Sequence, residues 1–387
     1  MKRFELVIAG GGLTAARAIR SYREAGGGGD IGLFSDETKL PYHRPALSKK
    51  FLRGETTATP YVENKAFYRN HGVKVMLGKP VTSIHATARM LTAGGSPFGY
   101  ENLLIATGAK PRHLNVRGAD LPGVFHLRTV ANSTAIREAT GSREKAVVIG
   151  GGFIGMEVAA SLRQLGLSVT LIHLGGGLFD QLGSGQLSDE LLALYREQGV
   201  DVWLEEEVEV KSGLCVEANM AVVGVGVVPN THFLVGSGLA IDNGVVINER
   251  FETSAPGVYA AGDVANFFDP LYGRHRRIEH WSNANYQGAE AGKILAGHGD
   301  GYDTVSSFFS EVFGLTVKVF GDVSHSDDVM TQGSLGTREL LAVYGENGGL
   351  VGALTVGQSN EVEAGLRGLI RAHEPLTALN GNLAGVR

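Results

Sequence analysis

Two glycine-rich turns with matching spacing stand 140 residues apart: Gly10-Gly11-Gly12-Leu13-Thr14-Ala15 and Gly150-Gly151-Gly152-Phe153-Ile154-Gly155. Both fit G-x-G-x-x-G/A, a pattern that cradles a pyrophosphate when it follows a strand and opens a helix. Gly10 and Gly150 allow the sharp turn, because a positive φ costs glycine nothing. Gly12 and Gly152 let the backbone approach a pyrophosphate with no Cβ in the way. Ala15 and Gly155 let the helix pack closely on its strand. The phosphates then meet free N–H groups and the positive end of a helix dipole. One such turn is a weak signal. Two in one chain point to two dinucleotides, and a pair that works together suggests a flavin reduced by a pyridine nucleotide.

The elements around the turns have the right character. Glu5–Ala9 and Lys145–Ile149 are short, apolar and rich in β-branched residues, as buried parallel strands are. The first helix should span Leu13 to Ala25, followed by a strand over Asp30–Phe34. Asp36 and Glu37 come next, where an acid can bind a ribose hydroxyl. Val73–Leu77 and Asn102–Ala106 read as further strands, the second ending in Thr107-Gly108. The second unit closes with the strand Val169–His173. Ala221 to Val228 reads as one apolar strand before the breaker Pro229-Asn230, and Gly257–Ala261 as a strand before Gly262-Asp263. From about Ser306 the pattern changes to short alternating strands (Thr316–Phe320, Leu340–Val343, Val351–Thr355) and a last helix over Asn360–His373.

Length and composition fit this organisation. The 387 residues predict two to three domains, and 43% apolar residues are enough for their cores. No stretch approaches the roughly 20 apolar residues of a membrane span. Met1-Lys2-Arg3-Phe4 runs into the first strand, so no signal peptide is expected. A single cysteine, Cys215, excludes an internal disulfide and reads as a structural thiol. A cytoplasmic protein is expected. A net charge of −5 argues against wholesale nucleic-acid binding. The 56 glycines are scattered through turns with no collagen-like period.

Several further segments, in this order, carry a resemblance. They are Pro41-Tyr42-His43-Arg44-Pro45-Ala46-Leu47-Ser48-Lys49, Ala106-Thr107-Gly108, Val225-Gly226-Val227-Val228-Pro229-Asn230, Ala260-Ala261-Gly262-Asp263, Ile278-Glu279-His280-Trp281-Ser282-Asn283-Ala284 and Phe308-Phe309-Ser310-Glu311. The chain resembles the flavin-dependent pyridine-nucleotide reductases of the glutathione-reductase superfold. Within them it is most similar to the ferredoxin, rubredoxin and putidaredoxin reductases and to relatives like apoptosis-inducing factor. The resemblance implies an α/β fold: two Rossmann-like dinucleotide-binding domains, the FAD domain discontinuous, plus a small α+β C-terminal domain. It divides the chain into an FAD domain (residues 1–111 and 232–305), an NAD(P)H domain (112–231) and a C-terminal domain (306–387).

The same resemblance implies roles for particular residues. The first turn would hold FAD and the second NAD(P)H. Asp263 would bind the ribityl chain or a neighbouring hydroxyl, at the N-terminus of a following helix. Arg44 and Lys49 would lie over the flavin, with Lys49 at its N5/O4 edge and paired to Glu157. A cation there stabilises the charge that arrives with a hydride, and the carboxylate positions it. Trp281 would shield the flavin or nicotinamide from water, and Arg128 would contact the flavin. Val81, Ala106, Thr107, Gly108, Gly262 and His280 are expected around the FAD. Phe153, Ile154, His173, Gly224 and Gly226 are expected around the pyridine nucleotide.

Two departures bear on chemistry. The disulfide-using branch needs a redox cysteine near the flavin, and Pro41-Tyr42-His43-Arg44 supplies none. Electrons should therefore leave the flavin directly. Second, His173 stands where NADH-preferring enzymes end the strand with Glu. A neutral histidine accepts one hydrogen bond, whereas a protonated one favours a 2′-phosphate. Leu174-Gly175-Gly176-Gly177 offers no arginine for that phosphate, which tilts the expectation to NADH. Arg44, Lys49, Lys50, Arg53, Arg274, His275, Arg276 and Arg277 would gather positive charge near the electron exit and steer an acidic ferredoxin. Three readings stand: a reductase feeding a ferredoxin-type iron–sulfur protein that serves an oxygenase system; an NADH oxidase or quinone or small-molecule reductase; and an NADH-sensing interaction protein like apoptosis-inducing factor. No metal, nucleic acid or membrane span is expected, and the protein would be a monomer or homodimer.

Overall fold

The structure is a computed structural model that describes residues 1–206 and 218–379. Cys215 lies outside the described residues. Met1–His43, Thr59–Lys110 and Val227–Thr304 form one compact unit. Arg44–Ala58, Pro111–Gly226 and Val305–Arg387 form a second.

In the first unit the strand Lys2–Ala9 lies between Ile31–Phe34 and Ser96–Ile105, parallel to both, and Val73–Met76 pairs beyond Ile31–Phe34. Val7, Ile8 and Ala9 are fully buried, as expected for a parallel strand covered on both faces. Ser96–Ile105 has two further partners. Its first residues pair antiparallel with Met90–Ala93, and its last pair parallel with Val258–Ala260. The helices Leu13–Glu24 and Trp281–Leu295 pack on one another through glycines. A Cβ on Gly288 would lie 2.6 Å from the Thr14 carbonyl oxygen, and one on Gly292 2.4 Å from that of Ala18. Those two glycines bring the second helix down onto the backbone of the first.

One expectation is corrected here. Asp263 does not begin a helix; the turn that holds it leads into the strand Ala265–Asp269. The segment Ala-Asn-Phe-Phe-Asp pairs with Val245–Ile247 on one side and Arg274–Arg276 on the other, and the buried Phe267 favours a sheet.

In the second unit a parallel sheet runs in the order Val200–Trp203, Ser168–Ile172, Lys145–Ile149, Met220–Val223, Val124–His126. The helices Phe153–Gln164 and Gly185–Glu197 connect its parallel strands. A second, antiparallel sheet runs Ser307–Val312, Leu315–Gly321, Gly349–Val356, Glu339–Glu346, Asp328–Ser334. The helix Asn360–Arg371 covers it with Val362, Leu366 and Ile370, one stripe at four-residue spacing. Its Ser359 cap accepts from the Val362 N–H.

The apolar run expected as one strand over 221–228 is two. Met220–Val223 belongs to the parallel sheet of the second unit, while Val227–Pro229 belongs to the first unit. Gly224-Val225-Gly226 breaks the run. Gly226 has φ +92°, and Gly224 sits where a Cβ would come 3.0 Å from the Gly155 nitrogen.

Candidate functional site

The first cradle is built from the ends of neighbouring strands. Gly10 turns at φ +122°, and a Cβ there would lie 2.1 Å from the Ala106 carbonyl oxygen. Ala106 itself donates from its N–H to the Ala9 oxygen at 2.7 Å. Gly12 caps the helix, and nothing lies within 4 Å of its absent Cβ. That open face beside the first N–H groups of the helix is the room a pyrophosphate needs, so the cradle fits a dinucleotide. Leu13, Thr14 and Ala15 are buried behind it. Gly262, at φ +81°, holds its backbone against Thr14, where a Cβ would come 2.4 Å from Oγ1. Its N–H donates to Gln287 Oε1 at 2.7 Å.

Other expected residues of this unit take distinct places. Asp36 is exposed, whereas Glu37 accepts a hydrogen bond from the Tyr42 hydroxyl at 2.5 Å. Val81 packs half-buried against the core. Thr107 and Asn230 lock together: Thr107 Oγ1 donates to the Asn230 oxygen and Asn230 Nδ2 to the Thr107 oxygen, both at 2.9 Å. Gly108, at φ +65°, accepts from the Asn230 N–H. This explains why Ala-Thr-Gly and Val-Val-Pro-Asn occur together in one chain. The Arg277 guanidinium donates to the Asp263 carbonyl. Trp281 Nε1 donates to His43 Nδ1 at 3.0 Å, which fixes His43 as an acceptor at that nitrogen. Burial, aided by the Arg17 charge and opposed by Glu63, pushes the His43 pKa below its ordinary value. His280 keeps some exposed surface, yet the protein packed around its ring pushes its pKa down to about 4 against the opposing pull of Asp263.

The second cradle repeats the first more tightly. Gly150 turns at φ +113° with a Cβ position 2.3 Å from the Gly224 oxygen. A Cβ on Gly155 would lie 1.9 Å from the Gly150 oxygen. Gly152 caps the helix, and the nearest atom to its Cβ position is Gln181 Nε2 at 3.8 Å, so this face also leaves room for a pyrophosphate. Phe153 is flanked by Phe179 and Phe308, ring centroids 5.0 Å away in both cases, while Ile154 is exposed. His173 follows the strand Ser168–Ile172 and lies against Gly151, where a Cβ would come 2.7 Å from its ring. Asp180, which the sequence reading did not single out, places Oδ2 3.3 Å from His173 Nε2.

Glu157, in the second cradle's helix, anchors a buried charge cluster. Lys49 Nζ lies 2.6 Å from Glu157 Oε2, with side-chain exposures of 8% and 5%. The same oxygen accepts from Ser48 Oγ at 2.5 Å. Oε1 accepts from Ser310 Oγ at 2.8 Å and the Glu311 N–H at 3.3 Å. Lys49 also donates to the Pro45 oxygen at 3.1 Å. Ser161 and Ser133 donate to the Ser48 and Leu47 carbonyls at 2.6 and 2.7 Å, holding the turn that carries Lys49. Breaking such a buried pair from one side costs about 3–5 kcal/mol, because the other charge is stranded. Ser48, Ser310 and the Glu311 N–H were missed as functional groups. Their signal was present, since each lies in a motif that was recognised without a role.

The expected positive patch is smaller than its residue count. In the second unit Lys49 is buried against Glu157, Arg53 pairs with Glu55 at 2.5 Å, and Arg44 donates to the Arg128 carbonyl at 2.6 Å; Lys50 is exposed. In the first unit Arg276 pairs with the buried Asp269 at 2.8 Å, and Arg277 with Glu279. Much of this charge neutralises internal carboxylates. No helix among the described residues is long and apolar enough to cross a membrane.

Comparison with known proteins agrees with this geometry. The sequence profile of the family described as pyridine nucleotide-disulphide oxidoreductase matches residues 4–288. The chain is similar to putidaredoxin reductase of Pseudomonas putida, 31% identical over 88% of this chain and 85% of that one. It is likewise similar to the 5,5'-dehydrodivanillate O-demethylase ferredoxin reductase subunit of Sphingobium sp. (33% identical; 94% and 93% covered). Among solved structures, a ferredoxin reductase for the CYP199A2 system from Rhodopseudomonas palustris superposes with a TM-score of 0.92 at 28% identity, covering 100% of this chain and 99% of that one. The reductase in a covalent putidaredoxin reductase–putidaredoxin complex does so with a TM-score of 0.92 at 29% identity, covering 100% and 98%.

Proposed function

The chain belongs to the pyridine nucleotide-disulphide oxidoreductase family, and from that membership we propose a flavoprotein reductase that oxidises NAD(P)H and passes single electrons to a ferredoxin-type iron–sulfur protein serving an oxygenase. The observation that carries the reading is the presence of two dinucleotide cradles in a chain with one cysteine. Dithiol chemistry needs two sulfurs, so electrons leave by another route. Relatives along nearly the whole length are named as reductases of ferredoxins, which supplies the acceptor class.

The first cradle, Gly10 to Ala15 with Ala106–Gly108 and Gly262-Asp263, takes FAD. The second, Gly150 to Gly155 with Gly224 and His173, takes the nicotinamide coenzyme, with NADH preferred. Residues 1–111 and 232–305 then serve FAD, 112–231 serve NAD(P)H, and 306–387 form the C-terminal part. FAD, when bound, accepts two electrons from the nicotinamide and releases them one at a time. Lys49 is the cation that stabilises the incoming charge. Glu157, gripped by Ser48, Ser310 and the Glu311 N–H, holds that cation in place. Trp281, tethered by His43, excludes water.

The test is anaerobic stopped-flow reduction of the purified yellow protein with NADH and with NADPH, followed by an acidic [2Fe–2S] ferredoxin. Rapid bleaching and rapid discharge into the ferredoxin are expected. A persistent long-wavelength band that ferredoxin does not discharge would replace this reading with an NADH-sensing one, and a protein that takes up no FAD would overturn it.

A further inference from the structure

We propose that Asp180, with His173, selects a coenzyme whose adenosine ribose carries a free 2′-hydroxyl. The inference rests on the second cradle's holding the pyridine nucleotide. The strand Ser168–Ile172 ends at His173, the place from which an acid reads the adenosine ribose in dinucleotide folds. A ribose diol offers two O–H donors. An imidazole whose Nε2–H faces a carboxylate keeps one acceptor, Nδ1. The acid missing from position 173 is restored from seven residues further on: Asp180 Oδ2 lies 3.3 Å from His173 Nε2.

The loop is shaped to bring it there. A Cβ on Gly175 would lie 1.8 Å from Asp180 Oδ2 and 2.7 Å from His173 Nε2, so a side chain there would push the carboxylate away from the imidazole. The Asp180 side chain is 41% exposed, against 17% for His173, which leaves carboxylate surface for a ligand. A second acid approaches the same loop: Glu205 Oε1 is 3.8 Å from the Cβ position of Gly176, and the Glu205 N–H donates to the Gly175 oxygen. Residues 173–184 contain no lysine or arginine.

With His173 neutral, the pair carries −1 and repels a 2′-phosphate. With His173 protonated, Asp180 cancels its charge, and the phosphate gains no net cation. A 2′-phosphate site favours a planar, lasting cation, and within residues 173–184 Asp180 offsets the one group, His173, that could supply positive charge. Like charges set against one another in this way discriminate strongly.

Isothermal titration of the oxidised holoenzyme with NAD+ and NADP+ tests this without turnover. The parent is expected to bind NAD+ at least about tenfold more tightly, and Asp180→Asn to narrow that ratio about tenfold, mainly through tighter NADP+ binding. A ratio within twofold of the parent's, or equal weakening of both nucleotides, overturns the proposal. If Asp180→Asn is not recovered folded, the parent is titrated with AMP and adenosine 2′,5′-bisphosphate, and preference for the bisphosphate overturns it. A parent that binds NAD+ and NADP+ equally defeats the assignment of Asp180 and leaves the reductase reading standing. A parent that binds neither defeats the reductase reading itself.

Discussion

The two cradles are the same device built at two tolerances. In the first, the third small residue is Ala15, fully buried with its methyl accommodated. In the second it is Gly155, where a methyl would sit 1.9 Å from the Gly150 oxygen. Two residues further on, the equivalent positions carry opposite charge. Arg17 follows the first cradle with its buried Nε unpartnered among the described residues. Glu157 follows the second, bound by Lys49, two serines and a backbone N–H. The repeated motif thus fixes only how a pyrophosphate is met. The residue one turn along each helix is free to differ, and in the second cradle it became part of a charge cluster.

The largest effect should come from breaking that asymmetry at Glu157. Glu157→Ala strands the Lys49 ammonium in a buried site, costing about 3–5 kcal/mol of stability. It should also slow flavin reduction about 10²–10³-fold, the scale of losing one placed electrostatic group, with FAD still bound. Lys49→Ala should slow reduction similarly at a smaller cost in stability. Arg17→Leu, by contrast, removes a group with an unpartnered nitrogen and should change stability by less than about 1 kcal/mol. Anaerobic stopped-flow and thermal unfolding compare the three. Parental reduction rates in both cluster variants would remove Lys49 and Glu157 from the chemistry.

The tolerance difference predicts the next effect. Gly155→Ala must displace backbone, and should weaken NAD+ binding more than tenfold while FAD stays bound. Ala15→Gly creates no clash and should cost only about 0.5–1 kcal/mol in helix stability. Nucleotide titration and denaturant unfolding check both. Equal effects would mean that the two turns are not built differently.

Histidines extend the comparison to pH. His280 in the first unit has its pKa pushed from the ordinary value near 6.5 down to about 4, chiefly by burial. Its unfolded form binds the proton first, so its share of stability is full above about pH 6.5 and is lost as pH falls towards about 4. That share is on the order of a few kcal/mol. Unfolding measured between pH 7 and 4 should be flatter for His280→Gln than for the parent, and an unchanged slope would contradict the burial seen here. His173 in the second unit sits beside Asp180 instead, so the two cradles treat their histidines differently.

What the sequence could disclose follows the range of the forces involved. Gly10, Gly150 and the parallel strands were legible because a positive φ and an apolar run are local demands. The strand Asp328–Ser334 was not, since Asp-Val-Met-Thr-Gln-Gly-Ser has neither an apolar run nor clean alternation and its residues remain half-exposed or exposed. Met220–Val223 and Val227–Pro229 looked like one strand because hydropathy does not register a change of partner. The Lys49–Glu157 pair came through resemblance, but Ser310, 153 residues from Glu157, acquired its role only in three dimensions. Asp180 was not legible because its place beside His173 depends on the missing Cβ of Gly175, which only the folded loop reveals.

The smallest expected effect lies at the tether between His43 and Trp281; the other tryptophan, Trp203, donates instead to a carboxylate, Asp201, at 2.8 Å. His43 Nδ1 can accept only while that nitrogen is unprotonated. Because burial and Arg17 lower its pKa, the tether should hold at pH 7 and give way only below the ordinary histidine range. Loss of one such bond is worth about 1 kcal/mol, so stability is a poor readout and spectroscopy a good one. In a Trp203→Phe background, Trp281 emission should shift only as pH falls below the ordinary histidine range. His43→Phe should show the shifted emission at every pH. His43→Gln, which keeps an acceptor, should stay unshifted even in acid, because glutamine does not titrate. An emission that follows pH identically in the parent and in His43→Gln would assign the change to another group, and the tether would lose its claim to set the indole's position.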